Sequence, residues 1–268
     1  MENNNKGFTL LELAIGVLLT GVILSAAFSL YLTQHNQLST QDKISNLQFN
    51  IRAASTELAS RIRMAGFDLP EGIQAIQANN TNPDTIAINY ASGELSGVQI
   101  EESMPEPSSI LRCDGHDLSN LHENDLAYIF DPISKYGEYF IVSAVDYSSS
   151  TIQHNTSELS YSYPEGSKIL KLMHFKFYVD MSDSLHPTLM RQENNEAAQA
   201  FAENISNLQL RYGLSSLVVV DVPVVEEMIR EVSINVTARI ARSDADIQGE
   251  YLTRTLATSV KVRNLGVN

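Results

Sequence analysis

The chain has 268 residues, and 18 Lys and Arg stand against 32 Asp and Glu, a formal net charge of −14. That acidity argues against a nucleic-acid binder, whose affinity rests on phosphate contacts, and against electrostatic docking on anionic lipid. The single cysteine, Cys113, allows no internal disulfide, so the roughly 200 residues beyond the first apolar stretch must hold together through their own core.

A short polar leader, residues 1–7, ends in Lys6-Gly7. An apolar run from Phe8 to Leu32 follows at once. A secretory signal peptide would have a shorter apolar core followed by a small-residue cleavage site, and no such site precedes Gln34-His35-Asn36-Gln37. As a helix the run would be roughly 38 Å long, enough to span a bilayer core of ~30 Å. Lys6 favours a cytoplasmic N-terminus with the rest of the chain outside. One carboxylate, Glu12, interrupts the run. A charge inside a membrane costs ~2.5–3.5 kcal/mol on insertion scales, which makes Glu12 a functional candidate. The leucines at 10, 11, 13, 18 and 19 offer it no cation. Cleavage after Gly7 would create an α-amino group at Phe8, one helical turn away, on the same chain or on a neighbour. The plainer alternative is a signal anchor that tolerates one Glu near the interface.

Gly7-Phe8-Thr9-Leu10-Leu11-Glu12, opening an apolar helix, resembles the cleavage and methylation motif of type IV pilins and type II secretion pseudopilins. The resemblance implies cleavage after Gly7 by a prepilin peptidase and N-methylation of Phe8. It also implies an assembly salt bridge between Glu12 and the Phe8 amine of an adjacent subunit. Many major pilins carry a C-terminal disulfide, and the lone Cys113 departs from that pattern in the direction of a minor subunit.

Beyond the run, Ile44, Leu47, Ile51, Ala54, Leu58 and Ala65 recur at three- and four-residue spacing, with Ile62 beside the slot at Arg61. The pattern predicts that one helix continues from about Phe8 to about Ala65, amphipathic over 33–67 and stopped by Gly66 and Pro70. Residues 71–125 are rich in Asn, Ser, Pro, Gly and acid, with short strands at 85–90 and 109–112. A variable insertion is expected over about 71–165. Strands are predicted at 127–131, 139–147, 168–180, around Leu189, from Leu208, at 229–242 and at 251–263. Met173, Phe175, Phe177 and Val179 share one face of the predicted strand over 168–180, and Val232, Ile234, Val236, Ala238 and Ile240 alternate cleanly. Glu196 to Asn204 reads as a brief helix. Val218 to Val225 is an apolar stretch broken by Pro223, fitting an edge strand, a partner-facing loop or a buried strand.

The expected fold is therefore α+β: one long N-terminal helix packed on a mainly antiparallel sheet domain over 68–268. Arg63 to Phe67, Phe177 to Asp180, Leu189 to Arg191, Glu203 to Gly213, Ile229 to Arg242 and Leu252 to Asn264 are, in that order, similar to the PilW-type minor pilin pattern. The J-type pseudopilin is related in outline.

No catalytic motif is present, and no cofactor or metal is expected. Cys113, Asp114, His116, Asp117 and His122 form the densest ligand-type cluster, but without zinc spacing, so a polar loop with a half-buried Cys is expected. Asp244 and Asp246 before Gly249 lack the EF-hand pattern and read as a solvated turn. Together these readings indicate a non-enzymatic minor type IV pilin that primes assembly or sits at the pilus tip. Its partners would be other minor pilins, the major pilin, the prepilin peptidase, the inner-membrane assembly platform and membrane lipid, with no nucleic acid. It would cross the inner membrane once, then enter the pilus. The alternatives are a type II minor pseudopilin and, from another class, a membrane-anchored periplasmic enzyme or ligand-binding domain.

Overall fold

The computed structural model describes residues 9–95, 97–155, 159–225, 228–241 and 251–265. Helix α1 spans Leu10–Met64, about 80 Å at ~1.5 Å per residue. Its two halves differ as their composition dictates. Residues 10–39 are exposed throughout, whereas Leu47, Ile51, Ala54, Leu58 and Ile62 are buried along one stripe. Arg61 and Arg63 in the last turn favour the negative end of the helix dipole. Gly66, at φ +78°, turns the chain away, and a Cβ there would lie 2.7 Å from Leu265 Cδ2. Glycine is therefore required both by the left-handed backbone and by the close approach of the C-terminal segment.

Among the described residues thirteen strands follow, all paired antiparallel: β1 (Ile76–Asn79), β2 (Thr85–Ala91), β3 (Leu111–Arg112), β4 (Leu126–Phe130), β5 (Gly137–Asp146), β6 (Thr151–His154), β7 (Lys168–Asp180), β8 (Thr188–Glu193), β9 (Gln199–Glu203), β10 (Ile205–Leu214), β11 (Val219–Val220), β12 (Ile229–Ala241) and β13 (Tyr251–Lys261). The last four form one sheet in the order β11-β10-β12-β13, and the other nine form a second sheet. Strand β7 organises the larger sheet. Its start pairs with β4, its middle with β2 and its end with β8.

The second half of α1 lies chiefly on β12 and β13. Val232, Ile234, Val236 and Ala238 are buried toward it, alternating with less buried Ser233, Asn235, Thr237 and Arg239. Phe175 and Phe177 from β7 join the same core. Each such side chain, fully buried, contributes ~1.5–3 kcal/mol. A second core lies within residues 95–169, built around Ile100, Leu111, Leu121, Ile129, Phe140 and Cys113.

One expectation is overturned. Residues 199–203, within the segment read as a brief helix, form strand β9, which pairs with β8 and places Ala202 in the main core. Glu196-Ala-Ala-Gln-Ala favours a helix intrinsically, but a β8–β9 hairpin with buried Ala202 outweighs that weak preference. Strand β1 was not anticipated in its Asn- and Pro-rich surroundings.

Candidate functional site

The helix start is built by a capping box. Thr9 is the N-cap, in extended conformation at φ −77° and ψ 151°. Its Oγ1 accepts from the Glu12 amide at 3.3 Å. Glu12 Oε2 in turn accepts from the Thr9 amide at 2.9 Å and from the Thr9 hydroxyl at 3.0 Å. The Thr-x-x-Glu spacing places both partners one turn apart, where each satisfies a donor that the helix itself leaves unpaired. Glu12 therefore has a local polar partner, and no cation pairs with it among the described residues. This role of Thr9 was missed at the sequence level, and its signal was the same Thr9-Leu10-Leu11-Glu12 string that carries the family resemblance.

Gly7 and Phe8 lie outside the described residues. Thr20 Oγ1 donates to Gly16 O at 2.7 Å, which satisfies the hydroxyl inside the helix. No atom lies within 4 Å of the Cβ position at Gly16 or Gly21, so another helix could approach closely at both. The helix is long and apolar enough to cross a membrane, and the apolar window has no share buried within the chain. An apolar surface of this extent needs lipid or neighbouring helices to cover it.

The other sequence candidates fall elsewhere. Cys113 is not half-buried but fully buried, because it packs into the second core. His116 Nε2 sits 2.8 Å from Glu101 Oε1, while His122 is mostly exposed and 3.7 Å from Asp125. Among the described residues no group of three or more His, Cys, Asp or Glu is placed to hold a metal. Asp244, Asp246 and Gly249 lie outside the described residues. Within Val218 to Val225, only Val219–Val220 form a strand, the edge strand β11, and residues 221–225 form an exposed or half-buried loop.

Residues 3–28 match the family model described as the prokaryotic N-terminal methylation motif. Neither a curated protein nor a solved structure matches the chain. The motif, on a helix able to cross a membrane and backed by antiparallel sheets, supports a subunit of the type IV pilin or pseudopilin kind. It implies processing by a prepilin peptidase, membrane anchoring and assembly into pili with other pilins, and it points to a structural role.

Proposed function

We propose that the chain is a minor type IV pilin of the PilW type, a non-enzymatic subunit that primes pilus assembly or sits at the tip. The methylation motif over residues 3–28 supports the pilin part of the reading, and the order of PilW-like segments in the sequence supports the rest. On this reading the peptidase cuts after Gly7, and Phe8 becomes the N-methylated first residue. Before cleavage the chain crosses the inner membrane once, N-terminus inside, with residues 68–268 in the periplasm. Residues 8–32 are the membrane and assembly segment, and 33–67 continue that helix onto the sheet.

The chemistry of Glu12 supports an assembly role. Two hydrogen bonds from Thr9 satisfy part of the carboxylate, and among the described residues no cation matches its charge in an apolar setting. A Phe8 amine from a neighbouring subunit would supply the missing cation, and only when subunits are in register. The other minor pilins, the major pilin and the assembly platform are the partners this reading requires.

The test is an in-frame deletion, followed by counting sheared surface pili and profiling secreted proteins from the same culture. Lost pili with an intact secretome is the expected result. Normal pili with a depleted secretome would assign the chain to a type II secretion system as a J-type pseudopilin. Normal pili and normal secretion, with an uncleaved leader on the protein, would favour a plainly anchored periplasmic enzyme or binding domain.

A further inference from the structure

The segment joining β10 to β12 is apolar where solvent meets it. Leu217, Val218, Val219, Val222, Val224 and Val225 are all exposed, Leu217 at 94% and Val224 at 98%. Single exposed apolar residues are ordinary, but a contiguous group marks a surface that is covered in the working protein. The backbone makes the same point. Strand β11 holds β10 through Tyr212↔Val220 and Gly213↔Val219, and its other side pairs with no strand among the described residues.

Leu217 adds an independent observation. It stands at φ +65°, in the left-handed region that Gly and Asn accept and a bulky apolar residue does not. Its amide donates to Leu214 O at 3.0 Å, and the Leu214 amide donates to Val218 O at 2.8 Å, so the turn is fixed. The chain thus holds a leucine in water on a backbone that disfavours it. Strain kept at an exposed position is a signature of function rather than folding. Edge protection is slight and consists of Pro223 and of Asp221, which lies 3.2 Å from Arg211 Nε.

The location excludes the membrane as the cover. Leu214 pairs with Ile229, and the Arg230 guanidinium donates to Leu265 O at 3.0 Å. Leu265 in turn packs at Gly66, beyond the end of α1. The turn therefore sits where the helix ends, roughly 48 Å along it from Leu32. The net charge of −14 also opposes anionic lipid and opposes a second copy of the same chain. Asp221, Glu226 and Glu227 lie within the segment itself.

We propose that the free edge of β11 and the apolar turn Leu217 to Val225 form a docking edge for an extended strand of a different pilin-like subunit, one whose apolar side chains are flanked by Lys or Arg. Backbone pairing along the edge gives affinity, the valines and Leu217 give apolar cover, and the charge difference selects a different chain over a copy. The identity of the partner as pilin-like rests on the functional reading above.

The test uses the full-length chain in its native host, with a photo-crosslinking amino acid at Val224 and, as a control, at exposed Glu106. The expected result is an adduct from Val224 whose partner peptide is a strand of a second subunit carrying its own N-terminal methylation motif. Leu217→Asn should cut that adduct roughly tenfold. Because Asn suits the left-handed backbone, the same variant should unfold no more easily than the parent. An adduct with another copy of this chain, or with lipid, would overturn the proposal. So would a Val224 yield no higher than Glu106 in cells where the chain is cleaved after Gly7 and present in fibres. An uncleaved chain absent from fibres would instead remove the pilin reading, and the partner named here with it.

Discussion

The guanidinium of Arg61 donates from Nη1 to the hydroxyl of Tyr90 at 2.6 Å, joining the last turn of α1 to β2. The same group lies 3.9 Å above the Phe175 ring and bonds Glu57 Oε1 through Nε at 2.9 Å. Arg191 from β8 reaches the same Glu57 oxygen at 3.4 Å. One planar cation thus binds the helix to two strands of the larger sheet.

Arg61→Ala should destabilise the detergent-solubilised chain by about 2 kcal/mol, through the lost ring contact and the hydroxyl of buried Tyr90 left unpaired. Arg61→Lys should recover only part of this, because an ammonium cannot serve Glu57, Tyr90 and the Phe175 face together. Urea titrations followed by circular dichroism measure both. Midpoints equal to the parent for both variants would reduce the cluster to a surface ion pair.

The capping box separates two roles of Glu12. Glu12→Gln keeps an acceptor for the Thr9 amide but loses the charge, and Glu12→Ala loses both. Both variants should still be cleaved after Gly7, and both should enter fibres about tenfold less than the parent if the charge pairs with a neighbour's Phe8 amine. Thr9→Val should weaken the helix start by about 1 kcal/mol and yet assemble. Sheared-fibre immunoblots read incorporation. Parent-like incorporation of Glu12→Gln would show that the carboxylate acts only as a cap. Gly7→Leu should leave the full-length chain in the membrane, visible as a slower band on a gel.

Much of this architecture was legible because periodicity is a local signal. The helix stripe from Leu47 to Ile62 and the alternation of Val232 to Ala238 can each be read without knowing what they touch. What could not be read depends on partners distant in sequence. Strand β9 forms because Leu189 waits opposite Ala202, and nothing inside an Ala-rich segment announces that. The second core is similar. Leu111 meets Ile152 across two short strands, and Ile129 meets Ile169, so that core emerges only from pairings of distant segments. At the helix start the Thr9–Glu12 spacing was visible, but the family motif written in the same residues obscured its capping role.

Cys113 should be chemically silent in the folded chain. Burial, with the nearby carboxylates of Asp114 and Glu101, pushes its thiol up to about 12, so almost no thiolate exists at neutral pH. A maleimide should leave the native protein unlabelled and modify it completely in denaturant, as mass spectrometry would show. Rapid native labelling would mean that the second core opens readily. Cys113→Ser should cost roughly 1–3 kcal/mol, because a hydroxyl would replace a thiol at a dry position.

Asp84 gives the fold a pH dependence that runs opposite to most carboxylates. It is buried between the two sheets' chains, where its Oδ2 accepts from the Leu210 amide at 2.7 Å and its own amide donates to Leu208 O at 2.8 Å. Among the described residues its Oδ1 has no hydrogen-bond partner, and neither has the buried Tyr212 hydroxyl. Burial raises the carboxyl above its ordinary value of 3.8, while the amides of Leu210 and Thr81 pull it back only in part and the Asp221 charge adds to the rise. The folded chain therefore keeps this proton to a higher pH than the unfolded chain does. Stability from this group is greatest below the unfolded value and falls as pH rises through the folded one, leaving a net penalty at neutral pH. Asp84→Asn retains an acceptor for Leu210 and removes the buried charge. It should be more stable than the parent at neutral pH by roughly 1 kcal/mol, with the advantage vanishing as the pH drops to ~3.8. Urea midpoints across that range check the sign, and a variant less stable at neutral pH would show that the charged bond to Leu210 outweighs the cost of burial.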